Sequence, residues 1–208
     1  GINNILLGII VLLILGPLLY VFLSSFLEPN ALIRKGLSLA RSDWSFEGYT
    51  RILMDGTIMR GFLNSILYSA GFTIITVTVT ILAGYTLSVD GLVGRKVFMF
   101  FFLFTMFFGG GLIPTYFVVR DLGMLNTIWS IIIPGAVNVW FIILARTYFK
   151  GIPNELKEAA RIDGASDFRI FISVVLPLCK PIIFVLALYA FIGQWNAYFD
   201  AMIYLDDR

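Results

Sequence analysis

The sequence of 208 residues is 59% hydrophobic and only 13% charged, and its mean hydropathy of +0.92 is typical of a protein that lies in lipid. A net charge of +2, with no basic stripe along any one helix, excludes a nucleic-acid-binding protein. One cysteine and no histidine exclude a disulfide framework, a Cys/His metal site and catalysis by a histidine base.

Five apolar blocks are each long enough to cross a bilayer as a helix, which takes about 20 residues. The blocks run over about 5–27, 62–87, 97–119, 128–149 and 178–205. The first block is too long, and its start too poor in basic residues, for a cleaved signal peptide, so we interpret it as a retained span. The predicted fold is therefore all-α, a polytopic helical membrane protein that is embedded in the lipid bilayer.

A polar loop joins the first two blocks. Its charged residues, from Glu28 to Arg60, must lie outside the hydrocarbon, because a charge at the centre of a membrane helix costs about 2.5 to 3.5 kcal/mol. A short surface helix is predicted within this loop, near residues 46–53.

The third block contains three glycines and a proline in the stretch "GGGLIPTY", Gly109–Tyr116. Glycine and proline are tolerated in a membrane span where neighbouring helices provide partners for the backbone groups that these residues leave unpaired. The stretch therefore predicts a bend that packs against other helices, and a direct role in a transport path is the alternative.

A polar insert separates the fourth and fifth blocks. It holds seven charged residues between positions 151 and 177, and burying them in hydrocarbon would cost on the order of 20 kcal/mol. The insert is therefore expected in water or against a water-soluble partner. A proline in the first turn, Pro153, and two acids near the positive amino end, Glu155 and Glu158, predict a helix in which Glu158 pairs with Arg161.

The end of this helix is predicted at Gly164, where a left-handed conformation costs glycine least. Ser166 is then expected to cap a second helix. We predict two helices at an angle, with Ala159 and Ala160 exposed so that another surface can approach the backbone closely. An amphipathic helix lying on the lipid surface is the alternative, which the mixed signs of charge and the lack of a Trp/Phe-rich face disfavour.

The insert resembles a known motif. Glu158-Ala159-Ala160, three residues, Gly164, nine residues, Val174, one residue and Leu176-Pro177 together resemble the EAA motif of permease subunits in ATP-binding-cassette (ABC) importers, where the family has Ile at the position of Val174. The segments "IPNELKEAARIDGASDFRIF", "GFLNSILYS" and "GQWNAYFDAMIYL" are similar to the carbohydrate branch of that family. "FTMFFGGGLIPTYFVVRDLGMLNT" is similar to permeases associated with complex oligosaccharides, so the resemblance covers nearly the whole chain.

This resemblance implies a type I ABC importer permease bundle in a bacterial cytoplasmic membrane, with five spans visible and a sixth expected after Arg208. It implies that the EAA loop, residues 150–177, is cytoplasmic and that the amino terminus is cytoplasmic too. The Lys/Arg counts of the loops, eight inside against seven outside, do not decide the orientation on their own. The first insert helix, about Pro153 to Asp163, would be the coupling helix that docks in an ATPase. The coupling residues are then Glu158, Ala159, Ala160, Asp163, Gly164 and Ala165.

The resemblance also implies the partners: a second permease, expected to be a different chain, two cytoplasmic ATPase subunits and an extracellular sugar-binding protein. The sequence has no GxxxxGK[ST] phosphate-binding loop, so ATP is expected in the partner ATPase and no cofactor in this chain.

The fifth block contains a candidate substrate path. Tyr189, Gly193, Asn196 and Asp200 follow one another at i, i+4, i+7 and i+11, which predicts one helical stripe. Gln194 and Trp195 lie beside it, and sugars are bound by such hydrogen-bonding and aromatic groups. Polar groups inside a span usually face a bundle interior or a water-filled cavity, although helix–helix hydrogen bonding is the alternative.

One difference from the family limits this assignment: Ala197 stands where many sugar permeases have a glutamate, so contacts of that glutamate cannot be transferred. Four weaker candidates, for which helix packing is the preferred role, are Asn64, Tyr116, Asn138 and Trp140.

Three other functions remain alternatives. An importer permease for a non-sugar solute would share the same insert. A passive channel or scaffold has no need of an insert shaped for docking. A membrane enzyme would need a nucleophile with a base, or paired carboxylates, and Asp200 is the acid placed well inside a predicted span.

Overall fold

The computed structural model describes residues 2–37 and 40–206, within which the regular elements are all helical. The chain divides into two compact units, residues 1–63 and 64–208. Arg208 lies outside the described residues, as does the sixth span expected after it.

The first unit begins with the long helix α1 (Ile2–Ser24), which confirms the first predicted apolar helix. Two short helices follow, α2 (Pro29–Lys35) and α3 (Glu47–Met54), with a single 3-10 turn between them (Arg41–Asp43). Helix α3 confirms the short helix predicted near residues 46–53.

The helix α4 (Gly56–Ser88) confirms the second block, and its 33 residues make it the longest helix among the residues described. Together with α1 it is long and apolar enough to cross a membrane. Its length of about 50 Å exceeds the hydrocarbon thickness of about 30 Å, so it extends beyond the bilayer or tilts within it.

The third block is broken rather than bent within one helix. It forms α5 (Arg95–Phe107) and α6 (Leu112–Asp121), which meet at an angle of 113°. The bend predicted at the glycine and proline stretch is confirmed, and α5 and α6 together are long and apolar enough to be one broken span. The chain turns at the glycine triplet, where Gly111 has a φ of +82° that glycine adopts without strain.

The fourth block is also interrupted, so the continuous helix predicted over 128–149 is wrong. A single turn, α7 (Trp129–Ile132), precedes α8 (Val139–Lys150). Pro134 lies in the gap and has no N–H to donate to a helix, so the ladder stops there. Asn138 starts α8 by accepting a hydrogen bond from the backbone N–H of Phe141 at 3.2 Å.

The fifth block forms α12 (Lys180–Trp195) and α13 (Phe199–Tyr204), and the continuous helix predicted over 178–205 is wrong. Asn196 follows α12, and its side-chain amide donates to the carbonyl of Ile192 at 2.8 Å. Such side-chain bonds to the backbone compete with helix continuation.

The polar insert forms α9 (Asn154–Ile162), α10 (Asp167–Ile170), a π-helical turn (Phe171–Val175) and the short α11 (Leu176–Leu178). The segment from Asp167 to Leu178 meets α12 at 78°. Two bent pairs, α5 with α6 and residues 167–178 with α12, could each be one span by length and composition. With α1 and α4 they make up to four candidate spans among the described residues, whereas five were predicted from the sequence.

Two clusters of buried side chains lie toward opposite ends of α4. The larger one, here called the elbow core, joins α4, α8, the insert and α12 through Ile81, Ala145, Phe149, Ile152, Ile170, Phe171, Val175, Cys179, Ile182 and Leu186. The smaller one joins α6, α7 and α13 through Val119, Ile131 and Tyr204, with Tyr68 of α4 against it. Tyr68 and Tyr85, the latter against the elbow core, are about 25 Å apart along α4.

Candidate coupling site and substrate path

The polar insert folds as an elbow, a name used here for residues 154–178. Its first arm, α9, starts after Pro153, which has the extended backbone of a helix cap, and carries Glu155 in its first turn. It ends at Gly164, whose φ of +79° confirms the predicted left-handed conformation.

The hydrogen bonds around Gly164 form a Schellman motif. The N–H of Gly164 donates to the carbonyl of Arg161 at 2.9 Å, and the N–H of Ala165 donates to the carbonyl of Ala160 at 3.0 Å. The motif satisfies carbonyls that a helix end otherwise leaves unpaired. It also sets the direction in which the chain leaves α9.

The second arm starts at the predicted position. Ser166 accepts a hydrogen bond from the N–H of Arg169 at 3.4 Å and so caps α10, which confirms the predicted cap. Because only a short turn separates Gly164 from Ser166, these two caps fix where the second arm begins relative to the first.

A salt bridge closes the elbow across its bend. Arg161 donates to Asp167 at 2.9 Å, and this hydrogen bond raises the pKa of Arg161 above its ordinary value. Arg161 therefore pairs with Asp167. The prediction that it pairs with Glu158 is wrong. Asp167 lies in the second arm, six residues after Arg161, and the turn at Gly164 brings the two side chains together, which helical spacing alone does not reveal.

The alanines of the elbow have two different environments. Ala159 is exposed, as predicted, but Ala160 packs against the elbow core, and so does Ala165. The prediction that Ala160 is exposed is therefore wrong. Small residues at these two positions let α9 lie close to the bundle, while Ala159 leaves its outer side open.

The outer side of α9 is acidic and apolar. Its exposed side chains are those of Glu155, Glu158, Ala159, Ile162 and Asp163. Ile162 is 87% exposed, although it lies in the middle of the EAA segment. Its spacing of three residues from the exposed Ala159 is the sequence signal for this exposure.

A cleft of about 150 Å³ separates α9 from the end of α4. Lys157, Glu158 and Arg161 line it on one side, and Ser88 and Asp90 on the other. Glu158 thus lies at the edge of the outer face, beside the cleft.

The elbow is anchored in the bundle by aromatic rings. The ring of Tyr85 on α4 lies 4.6 Å from that of Phe171 in the second arm and 5.9 Å from that of Phe149 on α8. Phe149 itself is fully buried. The ring of Tyr85 thus contacts both the second arm of the elbow and α8.

The helices α4 and α8 touch closely next to this anchor. A Cβ at Gly84 would lie 2.8 Å from the Cβ of Ala145 and 3.2 Å from the backbone N of Arg146. Such small-residue contacts let membrane helices approach one another. Arg146 also donates to the carbonyl of Leu87 at 3.0 Å, which satisfies one of the unpaired carbonyls at the end of α4.

The predicted substrate-path residues do not lie on one helix. Tyr189, Gln194 and Trp195 belong to α12, Asn196 follows it, and Asp200 lies in the first turn of α13. The predicted stripe over i to i+11 is therefore wrong beyond Trp195. The side chain of Asn196 donates back to α12, which uses one of its two amide N–H groups.

Two of these residues form aromatic pairs. Tyr189 stacks on Phe141 of α8 at 6.4 Å, and Trp195 stacks on Phe191 at 5.9 Å. Tyr189 is 58% exposed and Asp200 is exposed, whereas Gln194 is half-buried. The exposed groups offer an aromatic and acidic surface.

Two of the four weaker candidates have structural contacts. Asn138 caps α8, and Tyr116 stacks on Tyr204 at 6.2 Å. Trp140 is 59% exposed on α8, and Asn64 is exposed on α4.

The profile of the family described as "Binding-protein-dependent transport system inner membrane component" matches residues 92–202. The polygalacturonan/rhamnogalacturonan transport system permease protein YtcP of Bacillus subtilis (strain 168) is 36% identical over 191 residues, which are 92% of this chain and 67% of that protein. Protein LplC of the same strain is 34% identical over 191 residues, which are 92% of this chain and 65% of that protein. The chain thus spans about two thirds of the length of the curated relatives it matches.

A solved structure is similar over nearly the whole chain. It is the crystal structure of a bacterial ABC transporter involved in the import of the acidic polysaccharide alginate, with a TM-score of 0.91 and 37% sequence identity. The match covers 99% of this chain and 74% of that chain.

Proposed function

We infer, since this chain belongs to the family of inner membrane components of binding-protein-dependent transport systems, that it is the permease subunit of an ATP-driven importer of sugars or oligosaccharides. Members of this family are multi-pass membrane permeases of the inner membrane, and the family is one of transporters rather than of enzymes. The observation that carries the proposal is the elbow, a polar helix with a glycine cap on an otherwise apolar chain.

The elbow is proposed to couple this chain to an ATPase. The helix α9 is the part that docks, through its outer face with Glu155, Glu158, Ala159 and Ile162. Ala159 admits a close approach and Ile162 supplies apolar contact, while Glu158 makes the polar contact. Asp163, Gly164, Ala160 and Ala165 hold the angle of the docked helix relative to the bundle.

Energy from ATP would reach the spans through this angle. Closure of an ATPase dimer would move α9 as a rigid lever, and the aromatic anchor at Tyr85 and Phe149 would pass the movement to α4 and α8. The result is an exchange between inward-open and outward-open arrangements. The transported solute biases that exchange only through its different affinity for the two states.

The proposed topology follows from this docking. If the elbow is cytoplasmic and each of the four apolar blocks before it crosses the membrane once, then the amino terminus of α1 is cytoplasmic and the loop of residues 28–61 is extracellular. The partners are a second, different permease, two ATPase subunits that bind the ATP, and an extracellular sugar-binding protein.

The solute path is proposed to run past the end of α12. Tyr189 and Trp195 offer rings on which a sugar can stack, and Gln194 and Asp200 offer hydrogen-bonding groups. Asn196, which uses one amide N–H to bond α12, contributes its side-chain carbonyl oxygen and its second N–H. These groups lie on two helices, so relative movement of α12 and α13 would alter their spacing.

One experiment tests both sites in the assembled importer. Glu158→Lys reverses a charge on the outer face of α9 and is expected to reduce co-purification of the ATPase on the order of tenfold or more, because a like charge at an interface costs several kcal/mol. Asp200→Ala is expected to leave that co-purification unchanged and to lower ATP-driven sugar uptake into proteoliposomes.

The matched control is Glu47→Lys, which also reverses an exposed acid in the first turn of a helix, but on α3, which belongs to the other compact unit. It should retain the ATPase. Full association and full uptake with Glu158→Lys would refute the assignment of the coupling site. Unchanged uptake kinetics with Asp200→Ala would refute the assignment of the path.

A further inference from the structure

The helix α1 brings the chain to a membrane boundary at Ser24. Its 23 residues span about 34 Å, close to the hydrocarbon thickness of about 30 Å. The side chains of residues 3–22 are exposed, as expected for a helix surrounded by lipid. The residues directly after α1 therefore lie at the interface between lipid and water.

A cluster of aromatic rings lies at this exit. The ring of Phe26 lies 5.5 Å from that of Tyr49, 5.8 Å from that of Phe46 and 6.0 Å from that of Trp44. We call these four residues the exit cluster. Trp and Tyr are enriched at the headgroup level of membranes, where an apolar ring and a polar tip are both satisfied.

Hydrogen bonds hold the exit cluster at the level of the end of α1. The hydroxyls of Ser25 and Tyr49 share a hydrogen bond of 2.6 Å, and the N–H of Ser45 donates to the carbonyl of Phe26 at 2.8 Å. Leu27 and Trp44 form an antiparallel bridge. The start of α3 is therefore attached to the point where the chain leaves the bilayer.

The helix α3 has two different faces. Phe46, Tyr49 and Leu53 follow one another at i, i+3 and i+7, with Ile52 beside them, and Phe46 and Leu53 are 63% and 65% exposed. Every residue of α3 is described, and none is buried. On the opposite side, Arg51 donates to Glu47 at 2.6 Å.

We propose that α3 lies in the membrane interface at the carboxyl end of α1, with Phe46, Tyr49, Ile52 and Leu53 in contact with lipid. The occupant of the apolar face is lipid, because the face continues directly from a lipid-exposed span and its rings lie at headgroup depth. The ion pair of Glu47 and Arg51 then faces water, which is the arrangement of an interfacial amphipathic helix. The helix anchors the loop that follows α1 on the membrane surface.

Site-specific fluorescence measures the depth of α3. The buried Cys179 is replaced in a Cys179→Ala background, and Leu53→Cys and Arg51→Cys are each labelled with the fluorophore NBD. The full importer is reconstituted in vesicles of phosphatidylethanolamine and phosphatidylglycerol. Quenching is measured with lipids that carry a nitroxide near the headgroup and, separately, with iodide in the water.

The label at position 53 is expected to lose emission with the nitroxide lipid and to be shielded from iodide, while the label at position 51 does the reverse. Leu12→Cys, in the middle of α1, is the control for a deep site and should respond to a nitroxide near the end of the acyl chain. Ile52→Cys, on the same face as Leu53, should repeat the result for position 53.

Two results would overturn the proposal. Equal quenching of both α3 labels by iodide would place α3 in water. Shielding of position 53 from both quenchers would mean that a protein surface covers this face. The test does not depend on coupling to an ATPase, so its outcome is independent of the function proposed above.

Discussion

The elbow and the end of α12 illustrate two ways in which this chain builds a site. A proline, a glycine and a serine set the helix ends of the elbow, and its inner side packs on the elbow core, in which Phe149, Val175 and Cys179 have 0% exposure. The path residues from Trp195 to Asp200 are mostly exposed, and a helix break separates them. Substitutions should therefore disturb stability at the elbow and solute handling at the path.

The largest contrast is expected between two phenylalanines. Phe149→Ala removes a fully buried ring of the elbow core and should lower the free energy of unfolding by about 3 to 5 kcal/mol. Phe184→Ala removes a ring of α12 that is 72% exposed and should cost much less. Denaturant unfolding of the two purified variants in the same detergent measures both. Equal losses would mean that the elbow core does not support the fold.

A smaller contrast is expected between two glycines. Gly84→Ala places a Cβ against the backbone of α8, which cannot move aside locally, and should cost about 1 to 3 kcal/mol. Gly193→Ala meets nothing within 4 Å and should be close to neutral. Gly71→Ala should fall between them, because the atom it meets at 2.8 Å is the flexible end of Ile132. Thermal unfolding of the three variants gives the order, and a neutral Gly84→Ala would contradict the close packing of α4 and α8.

The cap of α9 provides a test of backbone strain alone. A side chain at Gly164 meets nothing within 4 Å, but the φ of +79° would cost a β-branched residue about 1 to 2 kcal/mol. Gly164→Val should therefore lower stability and reduce association with the ATPase, since the elbow angle changes. Gly164→Asn is the matched control, because asparagine tolerates the left-handed conformation better. If Val and Asn behave alike in unfolding and pull-down experiments, the angle does not depend on this residue.

The smallest effect is expected at the salt bridge across the elbow. Arg161 and Asp167 have 58% and 78% exposed side chains, and ion pairs in water contribute little and are screened by salt. Arg161→Gln should destabilise slightly at low salt and not at high salt. A double-mutant cycle with Asp167→Asn measures the coupling between the two side chains, and a coupling that persists unchanged in high salt would contradict the screening. The same cycle with Glu158→Gln should show a weaker coupling to Arg161, since the structure pairs Arg161 with Asp167.

The local signals of the elbow could be predicted because their causes lie within a few residues. Gly164 is needed for a left-handed cap and Ser166 for an acceptor of a backbone N–H, so sequence spacing is sufficient. The path could not be predicted as well. The predicted stripe required one continuous helix from Tyr189 to Asp200. The helix α12 instead ends at Trp195, where the side-chain amide of Asn196 donates to the carbonyl of Ile192.

By itself the sequence determined that the chain is helical and lies in lipid, and that one polar segment stays out of the hydrocarbon, because transfer free energies depend on composition. It also determined where that segment turns. Only the tertiary structure decided that the fourth and fifth blocks are interrupted, that Ala160 faces inward and that Arg161 binds Asp167. Hydropathy is averaged over a window of residues and contains no information on the direction of the helix axis. These contacts, in contrast, depend on which surfaces the broken helices bring together.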